Sequence, residues 1–439
     1  MIHSMLMEQR IVSASKMDIG SKIKFYRLQR NMKQEELAKG IISVSYLSKI
    51  ENNLTAPSNE VLKLLCDRLD VNVFMEEDKA LKKDIMDWYK CMETSAYETS
   101  KKKYEELLLK TKILSNTETY IYFLLFEVRY FLMIREHEKA NNMLNNLQQY
   151  VELFDLHMHY YYQKFYAIYT YRTNDFVAAL EQFKKAEELF HRSIHFEKEE
   201  EADLYYLLGL AFSQTMKIPI SITYTSQALS IYQSIYETKR CAECHILLGI
   251  SYRRIGEYER SEKSYILAQR VADTQNDKYL KALLHHNIGK LYAVQNKSQQ
   301  ALDEFTKSYN LKQNASIASK LNSIYCIAME YEKLDNLDEA KKWVTLGKNY
   351  LTDVRNLKEY EEYIIYFTML EKVVLAEYEF LDEYFQEKAL PYFRQHDLRE
   401  QFVKYAEKLA IHFEACYKYK KSSYYYALCF QELKQQTHY

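Results

Sequence analysis

Glycine and proline are scarce in this chain. Only 7 glycines and 3 prolines occur among its 439 residues, well below average usage. Folds rich in strands need such turn residues far more often, so the scarcity argues against sandwiches and barrels. Aromatic residues are plentiful instead, with 42 tyrosines and 20 phenylalanines. This composition predicts an all-α protein in which short polar turns join the helices and aromatic side chains fill the space between them.

Membrane and secretion signals are missing as well. No run of about eighteen apolar residues occurs, and the N-terminus lacks the basic start and apolar segment of a secretory leader. We therefore expect a cytoplasmic protein without membrane contact. The 7 cysteines are scattered and odd in number, which suits reduced thiols better than disulfides. The formal net charge is -1, so any contact with nucleic acid must come from a local basic patch.

The length predicts more than one folding unit, because a single compact core rarely grows this large. We expect an extension without clear periodicity, disordered or a start-codon artefact, over residues 1–16. A small domain over 17–75 and a linker helix over 76–84 would follow. A long second domain over 85–439 would complete the chain.

Apolar residues recur at helical spacing between residues 19 and 73, which predicts four or five short helices. The predicted core residues are Ile23, Leu28, Leu37, Ala38, Leu47, Ile50, Val61, Leu64, Leu65 and Leu69. One short helix begins at Gln34, and after a brief turn Ser43 is the predicted N-cap of the next. Two helices joined in this way form a helix-turn-helix, whose second helix can lie in the major groove of DNA.

The letters "QEELA…SYLSKIENN…PS" resemble the helix-turn-helix of Xre and Cro-type repressors. With Leu47 and Ile50 buried, the opposite face of the second helix would carry the base contacts of that family. The resemblance implies that DNA is bound by Gln34, Ser43, Val44, Ser45, Tyr46 and Lys49, with Gln34 on a phosphate. A run of cations without acids would help to hold the DNA backbone; it comprises Lys22, Lys24, Arg27, Arg30 and Lys33.

Three glycines, Gly209, Gly249 and Gly289, follow one another at intervals of forty residues. An aromatic residue stands three positions after each of them and a small residue nineteen positions after. This pattern is typical of the tetratricopeptide repeat, in which a small residue lets two helices cross closely. Weaker copies occur on both sides. We expect roughly seven to nine helical pairs that form a right-handed superhelix with a concave inner surface.

Signatures of catalysis are absent: the chain contains no HExxH, no phosphate-binding GxxxxGK and no nucleophile elbow. We therefore expect a binding protein that is not an enzyme and needs no cofactor. The run Cys241-Ala-Glu-Cys244-His245 matches the C-x-x-C-H pattern of haem attachment. Since His245 takes the place of Tyr205 in the preceding repeat, we favour a packing role. Metal binding by the same three residues stays open as an alternative.

The whole chain resembles the peptide-sensing Rap/NprR/PlcR/PrgX (RNPP) regulators of Gram-positive bacteria, and most of all their NprR-like members. The segments "RCAECHILLGISYRRIGEYERSEKSY" and "HHNIGKLYAVQNKSQQA" carry this resemblance. It implies a homodimer or higher oligomer on double-stranded DNA with a palindromic operator, and repeats that bind a short signalling peptide. An extended peptide has unpaired amides that asparagine can satisfy. The predicted peptide-binding residues are Asn287, Asn322, Arg253, Arg254, His286 and Tyr325.

Two hypotheses about function follow. In the first, a signalling peptide controls DNA binding or the oligomeric state of a transcription regulator. In the second, the chain is a Rap-like regulator that binds a response-regulator protein, alone or in addition to DNA. The catalytic glutamine of Rap proteins has no recognisable counterpart in this sequence, so we do not expect phosphatase activity.

Overall fold

A computed structural model describes residues 19–70, 79–93, 97–111, 117–193, 196–352, 354, 360–396 and 398–436. Every regular element within these residues is helical, which confirms the all-α prediction. The chain divides into two compact units, Met1–His195 and Phe196–Tyr439. The predicted extension over residues 1–16 lies outside the described residues, as do positions 76–78 of the predicted linker helix.

The first unit begins with four short helices: α1 (Ile19–Gln29), α2 (Gln34–Ala38), α3 (Val44–Glu51) and α4 (Asn59–Leu69). Most of the predicted core residues are buried, but the prediction for Leu64 is wrong, because 46% of this residue is exposed. The buried face of α4 instead carries Leu62, Leu65 and Leu69. This i, i+3, i+7 spacing turns Leu64 away from the core.

The remaining helices of the first unit form antiparallel neighbours. They are α5 (Lys79–Glu93), α6 (Tyr97–Thr111), α7 (Thr117–Met133), α8 (His137–Leu147), a 3-10 helix (Gln148–Leu153), α9 (Leu156–Arg172) and α10 (Phe176–Arg192). Phe25 of α1 is buried against this group, with ring centroids 5.8 Å from Tyr120 and 5.2 Å from Tyr150. Lys24 also pairs with Glu152. The helix-turn-helix therefore shares one compact unit with the helices that follow it, and the predicted boundary near residue 75 stays a prediction.

The second unit starts with three helical pairs of one design: α11 (Lys198–Gln214) with α12 (Ile218–Ser234), α13 (Thr238–Arg254) with α14 (Tyr258–Thr274), and α15 (Lys278–Val294) with α16 (Ser298–Leu311). The first helices of these pairs begin forty residues apart, at Lys198, Thr238 and Lys278. The forty-residue repeat is thus confirmed.

The later helices of this unit continue the alternation less regularly. They are α17 (Ile317–Lys333), α18 (Leu337–Thr352), α19 (Glu361–Val374), α20 (Tyr378–Tyr384), a π-helical segment (Phe385–Ala389), α21 (Leu390–Gln395), α22 (Arg399–Ala415) and α23 (Tyr419–Gln436). Counted over the described residues from Thr117 onward in both units, the helices form eight pairs, within the predicted range. None of the described helices is long and apolar enough to cross a membrane.

The repeating glycines lie where the two helices of a pair approach most closely. A Cβ on Gly289 would come within 2.7 Å of the Phe305 ring, and one on Gly249 would collide with the ring of Tyr265. In two copies of the repeat, the serine twelve positions after the glycine forms a hydrogen bond with the carbonyl of that glycine. Ser261 Oγ donates to the Gly249 carbonyl at 2.7 Å, and Ser221 Oγ donates to the Gly209 carbonyl at 2.8 Å. Close packing and this hydrogen bond together fix the crossing of each pair.

Candidate DNA interface and peptide-binding surface

The predicted base-contacting residues lie together at the start of α3. Ser43 is the N-cap, and its Oγ accepts a hydrogen bond from the Tyr46 amide at 3.2 Å, as expected. The exposed residues here are Ser43, Val44, Ser45 and Lys49, whereas Tyr46 is half-buried. Leu47 and Ile50 fill the core on the opposite face. The outward face of the helix is therefore available to a ligand, and contact with DNA stays a prediction.

A buried network stands behind this face and joins α1, α2 and α3. Both oxygens of Glu51 accept from Arg27, Oε1 from Nε at 2.6 Å and Oε2 from Nη2 at 2.9 Å. Gln34 Nε2 also donates to Oε2 at 2.7 Å, and Arg27 Nη1 donates to the Met32 carbonyl at 2.8 Å. Charge-assisted bidentate bonds of this kind hold helices in a fixed geometry. Gln34 begins α2 as predicted and is half-buried.

This network corrects part of the predicted cationic run. Arg27 is only 8% exposed and fully engaged by Glu51, so it is not available to a phosphate. Lys24 pairs with Glu152, and Arg30 donates to the Asp70 carbonyl at 3.2 Å. Lys33 is exposed. A backbone-contacting role thus fits Lys33 better than Arg27.

The predicted peptide-binding residues lie on the first helices of successive helical pairs in the second unit. Arg253 is near the end of α13, His286 and Asn287 lie on α15, and Asn322 and Tyr325 lie on α17. His286 is 4% exposed, and neither ring nitrogen has a hydrogen-bond partner among the described residues. Burial, together with the charges of Lys290, Lys312 and Arg253, lowers the pKa of His286 well below its usual value. This imidazole is therefore neutral, with one donor and one acceptor unused.

Three of these predicted residues form hydrogen bonds with other groups of the protein. Asn287 Nδ2 donates to the carbonyl of Leu283 in its own helix at 2.9 Å. Arg254 reaches back to α11, where Nη1 donates to Ser213 Oγ at 2.8 Å. Tyr325 is 5% exposed, and its hydroxyl lies 2.9 Å from that of Tyr405 on α22. A peptide would have to displace these bonds to use the same atoms.

Asn322 and Arg253 are more accessible. Asn322 is half-buried on α17. Arg253 is also half-buried, and its Nε has no hydrogen-bond partner within the described ranges. Together with His286 they are the predicted residues that keep polar atoms available for a ligand.

Several charged residues close to these predicted peptide-binding residues were not predicted from the sequence. Lys290 follows Gly289 on α15, Lys312 ends α16, and Lys404 and Glu400 come from α22. Lys312 Nζ donates to Ser323 Oγ at 2.9 Å, and Lys404 Nζ lies 5.7 Å from the centre of the Tyr325 ring. One signal for Lys290 was present: the equivalent positions forty and eighty residues earlier are the apolar Ile250 and Leu210. A charge that replaces an apolar residue in a repeat register marks a changed environment.

The C-x-x-C-H run lies within α13 and has the surroundings of packing residues. Cys244 is fully buried, and burial raises the pKa of its thiol. Burial also raises the pKa of Cys241. Metal binding requires thiolates, so protonated thiols argue against the metal alternative. No cluster of three or more potential metal ligands occurs in the part of the chain that the structure describes.

Comparison with known proteins gives one match over the helix-turn-helix and another over nearly the whole chain. The helix-turn-helix family HTH_3 matches residues 23–74. The transcriptional activator NprA of Geobacillus stearothermophilus is 38% identical over 409 residues, which cover 91% of this chain and 99% of NprA. This similarity over nearly the full length of both proteins shows that the chain belongs to the same family of regulators.

Two solved structures show a similar fold. A Rap protein complexed with Competence and Sporulation Factor has a TM-score of 0.73 at 18% identity, over 82% of this chain and 99% of the other. NprR in complex with its cognate peptide NprX has a TM-score of 0.67 at 21% identity, over 82% of this chain and 100% of the other. They support the predicted arrangement of a repeat protein built from helical pairs.

Proposed function

The chain belongs to the RNPP family of regulators, and on that premise we propose that it is a cytoplasmic transcription regulator controlled by a short signalling peptide. The peptide would bind to the helical repeats and change DNA binding or the oligomeric state. The observation that carries this proposal is the similarity to a transcriptional activator over 91% of the chain, together with the helix-turn-helix match at residues 23–74.

The exposed start of α3 supports the DNA-binding part of this proposal. Val44 can contact a thymine methyl group, and Ser45 and Lys49 can reach base edges or phosphates. Helix-turn-helix dimers bind two half-sites about one DNA turn apart, so we expect a palindromic operator bound by a homodimer or higher oligomer.

The DNA-binding test uses the full chain and a pool of random DNA duplexes. Sequences enriched over several rounds of selection are then titrated with the protein, with Lys49→Ala and with Lys63→Ala as an exposed control on α4. We expect about tenfold weaker binding for Lys49→Ala, since one charged contact is worth roughly 1–2 kcal/mol, and no change for Lys63→Ala. Failure to enrich any sequence would contradict DNA binding and leave the response-regulator hypothesis.

The surface of the second unit that carries Arg253, His286 and Asn322, which we call the inner surface, supports the peptide part. Arg253, His286 and Asn322 offer the polar atoms that an extended peptide backbone requires. The test is a calorimetric titration of the full chain with short peptides taken from small secreted precursors encoded beside its gene. We expect one peptide to bind and to change the affinity for the selected DNA by a factor of at least 5. Absence of heat and of any effect on DNA binding across the set would contradict peptide control.

A further inference from the structure

Polar groups without partners collect on the inner surface of the second unit. Both ring nitrogens of His286, Nε of Arg253 and Oε2 of Glu330 are buried atoms with no hydrogen bond to any described residue. Buried polar atoms are nearly always paired, because an unpaired one costs about 1–3 kcal/mol. Several such atoms on one surface indicate that it can bind a polar ligand.

Four cations surround these groups, and we refer to Arg253, Lys290, Lys312 and Lys404 as the cationic cluster. The pKa of His286 is lowered by the charges of Lys290, Lys312 and Arg253. The pKa of Glu400 is lowered by the charges of Lys290, Arg253 and Lys404. The cluster therefore brings together residues from α13, α15, α22 and the end of α16. Two carboxylates, Glu330 and Glu400, lie among these cations, and Arg254 is a further cation near Glu400.

The surroundings of the cluster disfavour the charged form of its lysines, which a bound anion would counteract. Burial, with a smaller contribution from the charge of Lys290, lowers the pKa of Lys312 to about 8. Burial likewise lowers the pKa of Lys404, although Cys326 and Glu400 act against this. Glu400 is exposed, so desolvation, which would raise its pKa, is a weak effect there, and the neighbouring cations lower that pKa. Lysines whose charged form is disfavoured by burial destabilise a fold, which is typical of functional sites.

We propose that the cationic cluster binds a carboxylate of the signalling peptide, with Arg253, Lys290 and Lys404 as its charged contacts and His286 as a neutral donor. This inference rests on the proposed function and adds the chemical class of the group recognised. Arg253 can bind a carboxylate through two parallel N–H···O bonds, and the lysines supply point charges. The same carboxylate chemistry is offered by a peptide C-terminus and by an aspartate or glutamate side chain.

The test uses three acetylated pentapeptides as probes with the full chain: Ser-Gly-Ser-Gly-Ser with a free carboxyl end, the same sequence amidated, and amidated Ser-Gly-Asp-Gly-Ser. Apparent dissociation constants come from the rise in melting temperature at constant ionic strength. We expect at least one carboxylate probe to bind about tenfold more tightly than the amidated neutral probe. The free-end probe identifies a C-terminal source, and the aspartate probe identifies a side-chain source.

Variants locate the effect. Lys290→Met and Lys404→Met, made singly and compared with their own melting temperatures without peptide, should each abolish the preference for carboxylate. Lys263→Met, an exposed lysine on α14, should retain it. Equal binding of all three probes, or a preference that persists in both cluster variants, would overturn the inference. Because the probes contain no signalling sequence, this result is independent of whether the native peptide controls DNA binding.

Discussion

The helix-turn-helix head, residues 23–74, and the inner surface of the second unit accommodate buried charge in opposite ways. In the head, Arg27 and Glu51 satisfy each other, and Gln34 and the Met32 carbonyl complete the network. On the inner surface, His286 and Arg253 keep polar atoms without partners among the described residues. A completed network fixes the geometry of a fold, whereas an incomplete one costs stability until something binds. The difference separates a structural use of charge from a binding use.

The largest effect should follow from breaking the completed network. Glu51→Ala leaves the Arg27 guanidinium buried without its counter-ion, and we expect a loss of about 3–5 kcal/mol in the free energy of unfolding of the head. Chemical denaturation followed by hydrogen exchange in α1 to α4 measures this loss. Glu60→Ala, at an exposed position on α4, is the control and should change stability by under about 0.5 kcal/mol. A similar small change for Glu51→Ala would show that the network does not fix the head.

The contact between α1 and the helices behind it comes next. Phe25→Ala removes a ring that is 1% exposed and packed against Tyr120 and Tyr150. We expect a loss of about 3 kcal/mol, with faster hydrogen exchange in both α1 and α7. Leu54→Ala, where the side chain is 75% exposed, provides the matched control. Faster exchange confined to α1 would mean that this contact does not couple the head to α7.

On the inner surface, removal of a buried charge should raise the free energy of unfolding and not lower it. Lys312 has a pKa of about 8 in the folded chain and 10.5 in the unfolded one, so its charged form is less stable when folded. We expect Lys312→Met to raise the free energy of unfolding by about 2 kcal/mol at pH 7, after loss of the bond to Ser323. The gain should decline as the pH rises from about 8 to above 10.5, where lysine is neutral in both states.

Denaturation curves recorded at pH 7 and pH 10 check this reversal, with Lys263→Met as the exposed control. A destabilised Lys312→Met protein at pH 7 would place Lys312 with the structural charges of the head. A stabilised variant would show that the charge of this lysine is kept at the expense of stability.

The smallest effect concerns α3, the helix proposed to contact DNA. Ser43→Ala removes the cap of α3, whose Oγ accepts from the Tyr46 amide, and we expect a loss of about 1 kcal/mol. Ser45→Ala, on the same exposed turn, should stay within about 0.5 kcal/mol. Thermal unfolding of the two variants distinguishes a structural serine from one that is available only for DNA contact. Equal melting temperatures would argue against the capping role.

Much of the fold was visible in the sequence because its causes are local. The forty-residue spacing of Gly209, Gly249 and Gly289 predicted the helical pairs, and Ser43 was correctly predicted as a cap. The errors concern partners that are distant in the chain. Arg27 was predicted as a phosphate contact because its buried partner, Glu51, belongs to another helix. The carboxylate of Glu400 lies near Arg253 only after several repeats have stacked, and no local pattern contains that information.

The glycine crossings have a mechanical consequence. With Gly249 against the Tyr265 ring and Gly289 against the Phe305 ring, the two helices of a pair cannot slide past each other without a steric clash. Each of these two pairs should therefore move as one block, and any bending of the second unit should occur between pairs. A ligand that contacts α13, α15 and α22 would link several pairs at once, so a molecule of a few residues would stiffen a much larger structure.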